Sequence, residues 1–464
     1  MMFTEPSFPP DDSVRPAASV TFAEPAARPR AGPTVVVGGG AAGLELVTRL
    51  SRHARKECGK DDPPSVVLVD RALGHIWKPR LHEIATAMQS PVAAESSFLG
   101  HASTHGYRFE IGELQQVDPI GHTVTLAPLL GPEGEGVLPE RTISYGRLVL
   151  ALGSEENDFG TPGAREHCLF LNSTDQAVRI RDALLVGAFR VARGQQDRLS
   201  VVVIGGGATG VELSAEIHHA IDALWVHEPA LDRSRVQLTV VEAADRLLSA
   251  NPPEVSAYAA HALQARRVEV IVGDRVASID ARGVQLQGGR RIDAHLRIWT
   301  AGIRGPRVLE RMPSLQRTRS GRLQVDAKLR CTGVPDIYAI GDCAEWTDPA
   351  DGRAAPYTAQ IASAQARYLA AALKTLATGR EVPPFRFESA GAIVSLGDRG
   401  AAGNLTTRFG RHSRDHYVQG LSARLVYAAL YRRHELAIHG WRGALARLLS
   451  DWLDRTYQPE LKLH

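Results

Sequence analysis

The chain has 464 residues and a formal net charge of +3, with 44% hydrophobic and 23% charged residues. This length allows roughly two or three domains with their own cores, and so small a net charge gives no indication of a nucleic-acid partner. No apolar run approaches the ~20 residues that span a bilayer. No C-x-x-C pair occurs among the cysteines, which argues against a disulfide framework; they are Cys58, Cys168, Cys331 and Cys343.

The N-terminal residues 1–32 are rich in proline, alanine and acidic side chains. They lack the basic start and apolar core of a signal peptide. We therefore expect a disordered tail here. The lack of short-spaced cysteine pairs favours the reducing cytoplasm as the compartment. The first predicted strand follows, beginning near Val35.

An internal repeat starts at this first strand. The segment VVVGGGAAGLEL (Val35–Leu46) is a β-branched run, a glycine-rich turn and a helical pattern, and VVVIGGGATGVEL (Val201–Leu213) repeats that order. In each copy a second β-branched strand follows, and it ends in an acid, Asp70 or Glu242. This order predicts two separate βαβ nucleotide-binding units.

The glycines of both turns have the spacing G-x-G-x-x-G. The first glycine permits a tight turn, the second lets a pyrophosphate approach the backbone, and the third lets helix and strand pack closely. One match alone is equally typical of a tight turn in an unrelated domain, but two matches between a strand and a helix favour dinucleotide binding. The predicted cofactor-binding glycines are Gly38, Gly40 and Gly43, and then Gly205, Gly207 and Gly210.

The two strand-end acids are predicted to accept hydrogen bonds from ribose hydroxyls. The alternative for each is a solvated carboxylate at a strand end. Because a carboxylate repels a 2′-phosphate, Glu242 predicts that the second site prefers NADH to NADPH, and the nearby Arg246 would weaken that preference.

Two further strand patterns, RLVLALG (Arg147–Gly153) and IYAIGD (Ile337–Asp342), lie on either side of the second repeat. They indicate that one domain is interrupted by the other. The predicted fold class is α/β, with two Rossmann-type dinucleotide-binding domains and a C-terminal amphipathic segment. We place the first domain at residues 33–171 and 300–384, the inserted domain at 172–299, and the C-terminal segment at 385–464.

The C-terminal segment ends in an amphipathic pattern. From residue 405 onward, Lys and Arg exceed Asp and Glu by five. Leucine, tryptophan and basic residues suit a helix that lies on an anionic lipid surface, whereas the alternatives are packing on the protein core or on a second subunit in a homodimer. Its apolar positions have helical spacing and are Trp441, Leu445, Leu448, Leu449, Trp452 and Leu453.

Several segments carry a resemblance to a known family: HIWKPRLHEIA (His75–Ala85), GGGATGVELSAE (Gly205–Glu216), AIGDCA (Ala339–Ala344) and GAIVSLGDRGAAGNL (Gly391–Leu405). From Thr34 to His464 the chain resembles the type II NADH:quinone oxidoreductases, in particular their bacterial membrane-bound branch. The glycine turns are shared with many flavoenzymes, whereas the other segments are more specific.

The resemblance implies that FAD binds the first site and NADH the second. NADH would pass hydride to FAD, and two electrons would then reach a membrane quinone without proton pumping. The enzyme would lie peripherally on the cytoplasmic face of the inner (plasma) membrane. No metal is implied, and the histidine spacing predicts none.

The resemblance also implies roles for single residues. Those implied to contact FAD are Gly153, Gly341, Asp342 and Lys78, and those beside the nicotinamide are Ala301 and Gly302. Catalytic roles would fall on Lys78 near the flavin, Glu212 near the nicotinamide–flavin junction and Gln360 on the quinone side. Simpler interpretations exist: Lys78 as a surface lysine, Asp342 as a helix cap, and Glu212 as a carboxylate suited to a helix start, like Glu45 in the first repeat.

The chain departs from the family pattern A-Q-x-A-x-Q on the quinone side. Gln360 is present, but the second position is Ala364, and a glutamine follows one residue later at Gln365. One residue rotates a helical side chain by ~100°, so we expect the quinone site to differ in detail. Alternative functions are a soluble NADH-dependent reductase with a protein acceptor, a sulfide:quinone oxidoreductase, disfavoured by the absence of a cysteine pair, and an NADH-sensing flavoprotein.

Overall fold

The computed structural model describes residues 32–57, 65–228, 233–349, 352–397, 400–409, 412–457 and 461–462. The tail predicted over residues 1–32 lies outside the described residues apart from residue 32. Cys58 also lies outside them.

The first sheet is parallel and has five strands. Its order begins at the strand Ile337–Ala339 and continues with Arg147–Leu150, Thr34–Val37, Val66–Asp70 and Arg108–Ile111. The edge strand Ile337–Ala339 comes from the part of the chain that follows the inserted domain. This topology confirms that the first domain is interrupted.

The second sheet repeats this order with the second glycine turn. It runs through Leu169–Phe170, Leu296–Trp299, Leu199–Ile204, Val236–Glu242 and Glu269–Val272, again all parallel. The α/β class with two Rossmann-type domains is therefore confirmed. The residue boundaries proposed for the domains stay a prediction.

Both faces of the first sheet are buried, as continuous β-branched strands predict. On one face Val36, Leu68 and Val149 pack against the helices Ala41–Glu57 and Ala359–Ala377. On the other face a three-stranded antiparallel sheet covers the alternate residues; its strands are Leu114–Asp118, Thr123–Leu126 and Arg141–Ser144.

The second domain has its own three-stranded antiparallel sheet, and a third such sheet follows in the C-terminal segment. The strands of the former are Val276–Asp280, Gly283–Leu286 and Arg291–Asp293, and those of the latter are Gly391–Ser395, Ala401–Phe409 and His412–Gln419. Short strands lie at Gly74–His75, Ser96–Ser97, Leu129–Leu130, Gly136–Leu138, Glu155–Glu156, Ile303–Arg304, Leu323–Gln324 and Ala344–Glu345.

Two of the long helices begin at residues whose side chains cap them. Ser173 and Gln176 form a capping box before Thr174–Ala192, and Thr358 caps Ala359–Ala377. The described α-helices are Ala41–Glu57, Leu81–Ala85, Pro91–Ala94, Phe98–His105, Ala164–His167, Thr174–Ala192, Ala208–His227, Pro253–Gln264, Ala359–Ala377 and Gly420–Tyr457. The 3₁₀ turns are Lys78–Arg80, Arg233–Arg235, Arg307–Arg311 and Gly341–Cys343.

The C-terminal helix Gly420–Tyr457 is two helices joined at Gly440, where φ is 70° and ψ is 179°. The predicted apolar stripe lies after this break, and its six residues are between 47% and 67% exposed. In the described part of the chain no helix is long and apolar enough to cross a membrane.

Candidate functional site

The first glycine turn joins the strand Thr34–Val37 to the helix Ala41–Glu57. Gly38 has a φ of +104°, which side-chain-bearing residues rarely adopt. A Cβ on Gly43 would lie 1.8 Å from the Gly38 carbonyl oxygen, whereas a Cβ on Gly40 would meet no atom within 4 Å. The turn is therefore packed closely against its helix on one side and open at its middle, which is the shape that a pyrophosphate requires.

The second glycine turn reproduces this geometry. Gly205 has a φ of +113°, a Cβ on Gly210 would lie 1.9 Å from the Gly205 carbonyl oxygen, and a Cβ on Gly207 would again meet nothing within 4 Å. Both turns thus fit the pyrophosphate of a dinucleotide at the N-terminus of a long helix.

The two strand-end acids lie against the turns. Asp70 accepts a hydrogen bond from the Gly39 N–H at 2.5 Å, and Glu242 accepts one from the Gly206 N–H at 2.6 Å. Each carboxylate is thereby held beside its turn, at the end of the strand that neighbours the one leading into the turn. This is the position from which an acid reaches the ribose of a dinucleotide.

Lys78 lies beside the carboxyl end of the first sheet. Its Nζ donates to Asn172 Oδ1 at 3.1 Å, and a Cβ on Gly153 would lie 3.7 Å from that Nζ. The side chain is exposed overall, but nearby protein atoms partly desolvate its ammonium. This partial desolvation lowers the pKa of Lys78, and the carboxylate of Asp342 opposes the shift.

Gly341 and Asp342 follow the edge strand of the same sheet. Asp342 Oδ2 accepts from Ser154 Oγ at 3.2 Å, and the Gly341 N–H donates to Gln365 Oε1 at 2.7 Å. The structure thus brings Lys78, Gly153 and Asp342 together at one sheet edge. Gln365 is buried and holds the Gly341 backbone, so it supports this edge rather than replacing the side chain that Ala364 lacks.

Ala301 and Gly302 lie at the end of the strand Leu296–Trp299, next to the second turn. A Cβ on Gly205 would lie 2.7 Å from the Ala301 nitrogen. Gly302 has a φ of +72°, and a Cβ there would meet the ring of Phe159 at 2.3 Å. A glycine at 302 is therefore required by both its backbone angle and its neighbour.

Glu212, near the start of the helix that follows the second glycine turn, and Gln360 bind opposite ends of the strand Gly391–Ser395. Glu212 accepts from the Ser395 N–H at 3.0 Å and lies 3.7 Å from His82 Nδ1. The Gln360 side-chain amide donates to the Gly391 carbonyl at 2.8 Å. Burial of Glu212 raises the pKa of its carboxyl to about 7.

The described cysteines are free and largely buried, and they carry protonated thiols. Burial raises the pKa of Cys168 and of Cys343 to about 12 and raises that of Cys331 as well. These thiols are therefore poor nucleophiles. Among the described residues no group of His, Cys, Asp and Glu side chains has the arrangement of a metal site.

Sequence reasoning did not single out two polar residues of the first site, Ser154 and Asn172. Ser154 bonds Asp342, and Asn172 bonds both Lys78 and the Ser154 carbonyl. Each follows within a few residues of a strand in a parallel sheet. The carboxyl ends of such strands are where ligand-binding groups collect, and this was the signal available for finding them.

Comparison with known proteins agrees with this geometry. The family model for pyridine nucleotide-disulphide oxidoreductases matches residues 32–366, and the chain belongs to that family. Within it, the chain belongs to the type II NADH:quinone oxidoreductases. It is 35% identical to the type II NADH:quinone oxidoreductase of Haemophilus influenzae, over 93% of this chain and 99% of the relative.

Other relatives are more distant. A demethylphylloquinone reductase of Synechocystis is 27% identical over 92% of this chain and 98% of its own length. The NDH2 of Plasmodium falciparum, solved with NADH, superposes with a TM-score of 0.76 at 17% identity, covering 93% of this chain and 99% of that one. A sulfide:quinone oxidoreductase of Aquifex aeolicus reaches 0.69 at 16% identity, covering 94% and 96%. At these identities the structures show a shared fold alone.

Proposed function

We propose that this protein oxidises NADH and reduces a membrane quinone, with FAD as its bound redox group. The observation that carries the proposal is the pair of matched glycine turns, each open at its middle glycine, in a chain of this family. One turn serves the resident cofactor and the other the exchanging substrate.

FAD is proposed to occupy the first turn, with Asp70 at its adenosine ribose and Asp342 at its ribityl chain. When bound, FAD accepts hydride from NADH and passes two electrons to the quinone. Lys78 places a positive charge near Gly153 and Asp342, where it favours negative charge on the flavin. Asn172 fixes the direction of the ammonium through the 3.1 Å hydrogen bond.

NADH is proposed to occupy the second turn, with its nicotinamide beside Ala301 and Gly302. The backbone at Ala301 packs directly on Gly205, so the end of the strand and the turn form one surface. Glu242 lies where a 2′-phosphate would bind, and its charge disfavours NADPH.

Gln360 and Glu212 are proposed to shape the acceptor side by fixing the strand Gly391–Ser395 at both its ends. A carboxyl whose pKa lies near 7 is protonated in a substantial fraction of molecules at neutral pH. Glu212 is therefore suited to hold a proton beside the strand Gly391–Ser395.

The C-terminal stripe is proposed to lie on anionic lipid at the cytoplasmic face of the membrane. Its leucine and tryptophan side chains are exposed in the described chain, and basic residues are in excess around them. A helix in the lipid interface would also give the protein access to a quinone that is insoluble in water.

The membrane proposal is tested with vesicles. The double variant Leu448→Glu, Leu449→Glu should bind phosphatidylglycerol vesicles at least about tenfold more weakly than the parent in sedimentation, because it places charge on the apolar face. Ile120→Glu, at a side chain 91% exposed in the first domain, is the control and should bind normally. If the parent binds no vesicles but dimerises in light scattering, and the double variant is monomeric, the stripe is a subunit interface.

The reaction is tested by anaerobic stopped-flow absorbance on the FAD-loaded protein. NADH should bleach the flavin band rapidly, and a short-chain ubiquinone or menaquinone should restore it. Bleaching without recovery would refute the quinone acceptor, and a protein acceptor would then be sought. A slow response, with an NADH-dependent change in oligomeric state, would instead indicate a sensor.

A further inference from the structure

Two buried histidines from opposite ends of the chain meet beneath the first glycine turn. His75 Nε2 lies 3.0 Å from His434 Nε2, and His75 Nδ1 lies 2.9 Å from the Gly39 carbonyl oxygen. His75 is 5% exposed and His434 is 6% exposed. The pair therefore links the middle of the FAD turn to the C-terminal helix.

Elementary hydrogen-bond chemistry fixes the direction of this link. The Gly39 carbonyl only accepts, so His75 Nδ1 carries the hydrogen. In a neutral ring His75 Nε2 is then the acceptor, and His434 Nε2 is the donor. Both rings are neutral at physiological pH, because burial lowers the pKa of His75 to about 4 and that of His434 to about 2.

His434 also contacts the segment that carries Lys78. Its ring stacks on Trp77 with 3.8 Å between centroids and 29° between planes. Trp77 directly precedes Lys78, and His75 bonds the Gly39 carbonyl, so His434 contacts one neighbour of each part of the flavin site.

The same helix is tied to the first domain around its break at Gly440. The last carbonyls before the break are accepting groups that a helix end leaves without intrahelical partners. His101 Nε2 donates to the Ile438 carbonyl at 3.0 Å, and Arg52, on the helix after the first turn, donates to the Ala437 carbonyl at 3.5 Å. Beyond the break, Arg447 donates to Ser96 Oγ at 2.7 Å.

We propose that the FAD turn and the C-terminal helix are one coupled unit, in which His434 is the residue that positions the flavin site from that helix. The inference rests on the proposed function only in that FAD occupies the first turn. By thermodynamic reciprocity, a docked helix strengthens FAD binding and bound FAD strengthens helix docking by the same factor.

The first readout is FAD affinity, measured by titrating deflavinated full-length protein and following the quenching of flavin fluorescence. His434→Phe keeps a ring on Trp77 but removes the donor, and it should raise the dissociation constant about fivefold, the effect of one buried hydrogen bond. His434→Gln retains an N–H donor and should restore most of the affinity.

His439→Phe is the matched control. His439 lies on the same helix, and its hydrogen-bonding partner is Ser96 Oγ, 3.2 Å from its Nε2, rather than His75. It should lower the melting temperature as His434→Phe does, yet leave FAD affinity within about twofold of the parent. Equal losses of FAD affinity in the two variants would overturn the specific role of His434.

The second readout is deuterium exchange of the helix residues 430–439, with and without FAD. In the parent and in His434→Gln, FAD should slow exchange there, and in His434→Phe this protection should disappear. If FAD slows exchange in His434→Phe as much as in the parent, the coupling is refuted, whatever the FAD affinity of that variant. A parent that binds no FAD at all would instead refute the proposed function, so the two failures are distinguishable.

Discussion

The two glycine turns have nearly the same sequence and the same backbone geometry, but their surroundings differ. His75 contacts the Gly39 carbonyl of the first turn. Its other ring nitrogen contacts His434 on the C-terminal helix, so a segment remote in sequence braces this turn. The second turn is supported within its own domain, where the Leu248 N–H donates to the Gly206 carbonyl at 2.8 Å.

This difference matches the proposed occupants. A resident cofactor benefits from a turn that remote segments brace, because each of these contacts must be lost before the turn can open. A substrate that exchanges in every catalytic cycle is better served by a turn that one domain holds by itself. Local sequence sets the shape of a dinucleotide site, whereas distant contacts set how firmly it is held.

The largest expected effect comes from placing a methyl group at the third glycine of each turn, which distinguishes the role of one turn from that of the other. In Gly43→Ala and in Gly210→Ala the new Cβ would lie less than 2 Å from a backbone carbonyl oxygen. Gly43→Ala should lose most of its bound FAD, whereas Gly210→Ala should keep FAD and lose its reduction by NADH. The flavin-to-protein absorbance ratio and anaerobic bleaching measure the two effects.

The matched control is the middle glycine, where a Cβ at Gly40 or Gly207 meets no protein atom. Gly40→Ala should fold as the parent does and lose affinity only for FAD, because its methyl group points to where the pyrophosphate lies. If Gly210→Ala loses FAD as readily as Gly43→Ala, the two sites are not independent and the comparison fails.

Much of this comparison was predictable from sequence. The turns, the acids Asp70 and Glu242 and the interrupted domain all follow from local patterns, since a strand, a turn and a helix are set by neighbouring residues. The stripe from Trp441 onward was likewise predicted from helical spacing, and its side chains are exposed.

The contacts between remote segments were not predictable. His75 lies in a segment that carried the family resemblance, yet no periodicity pairs it with His434, 359 residues further along the chain. The side chain of Gln365 is a similar case. Its spacing predicted only that it would not share the helix face of the missing glutamine. Its hydrogen bond with the Gly341 N–H depends on how the helix Ala359–Ala377 packs on the sheet.

A smaller effect is expected at the acid of the second turn. Glu242→Gln removes the charge that opposes a 2′-phosphate, and it should raise the kcat/KM for NADPH relative to NADH by about tenfold, equivalent to ~1.4 kcal/mol. Asp70→Asn, at the equivalent position of the first turn, is the control and should leave nucleotide preference unchanged. Equal shifts in both variants would mean that the two turns do not have separate occupants.

The last difference between the repeats concerns the glutamates at the same position of each, Glu45 and Glu212. Both are buried, but Glu45 pairs with Arg49 at 2.8 Å, whereas Glu212 faces His82 at 3.7 Å. Burial raises the pKa of Glu212 from 4.5 to about 7. Its carboxyl therefore favours the fold only while protonated, and this stability is lost as the pH rises from below 4.5 through 7.

Glu212→Gln imitates the protonated carboxyl at every pH. Its melting temperature should equal that of the parent near pH 4 and exceed it by about 5 °C at pH 8, since the parent then bears an ionised buried carboxylate at a cost of up to ~3 kcal/mol. Glu45→Gln should instead lower the melting temperature at both pH values, because it leaves Arg49 without its partner. Changes of melting temperature with opposite signs in the two variants at pH 8 would show that the two repeats share their backbone geometry but not their electrostatics. Changes of the same sign would contradict this.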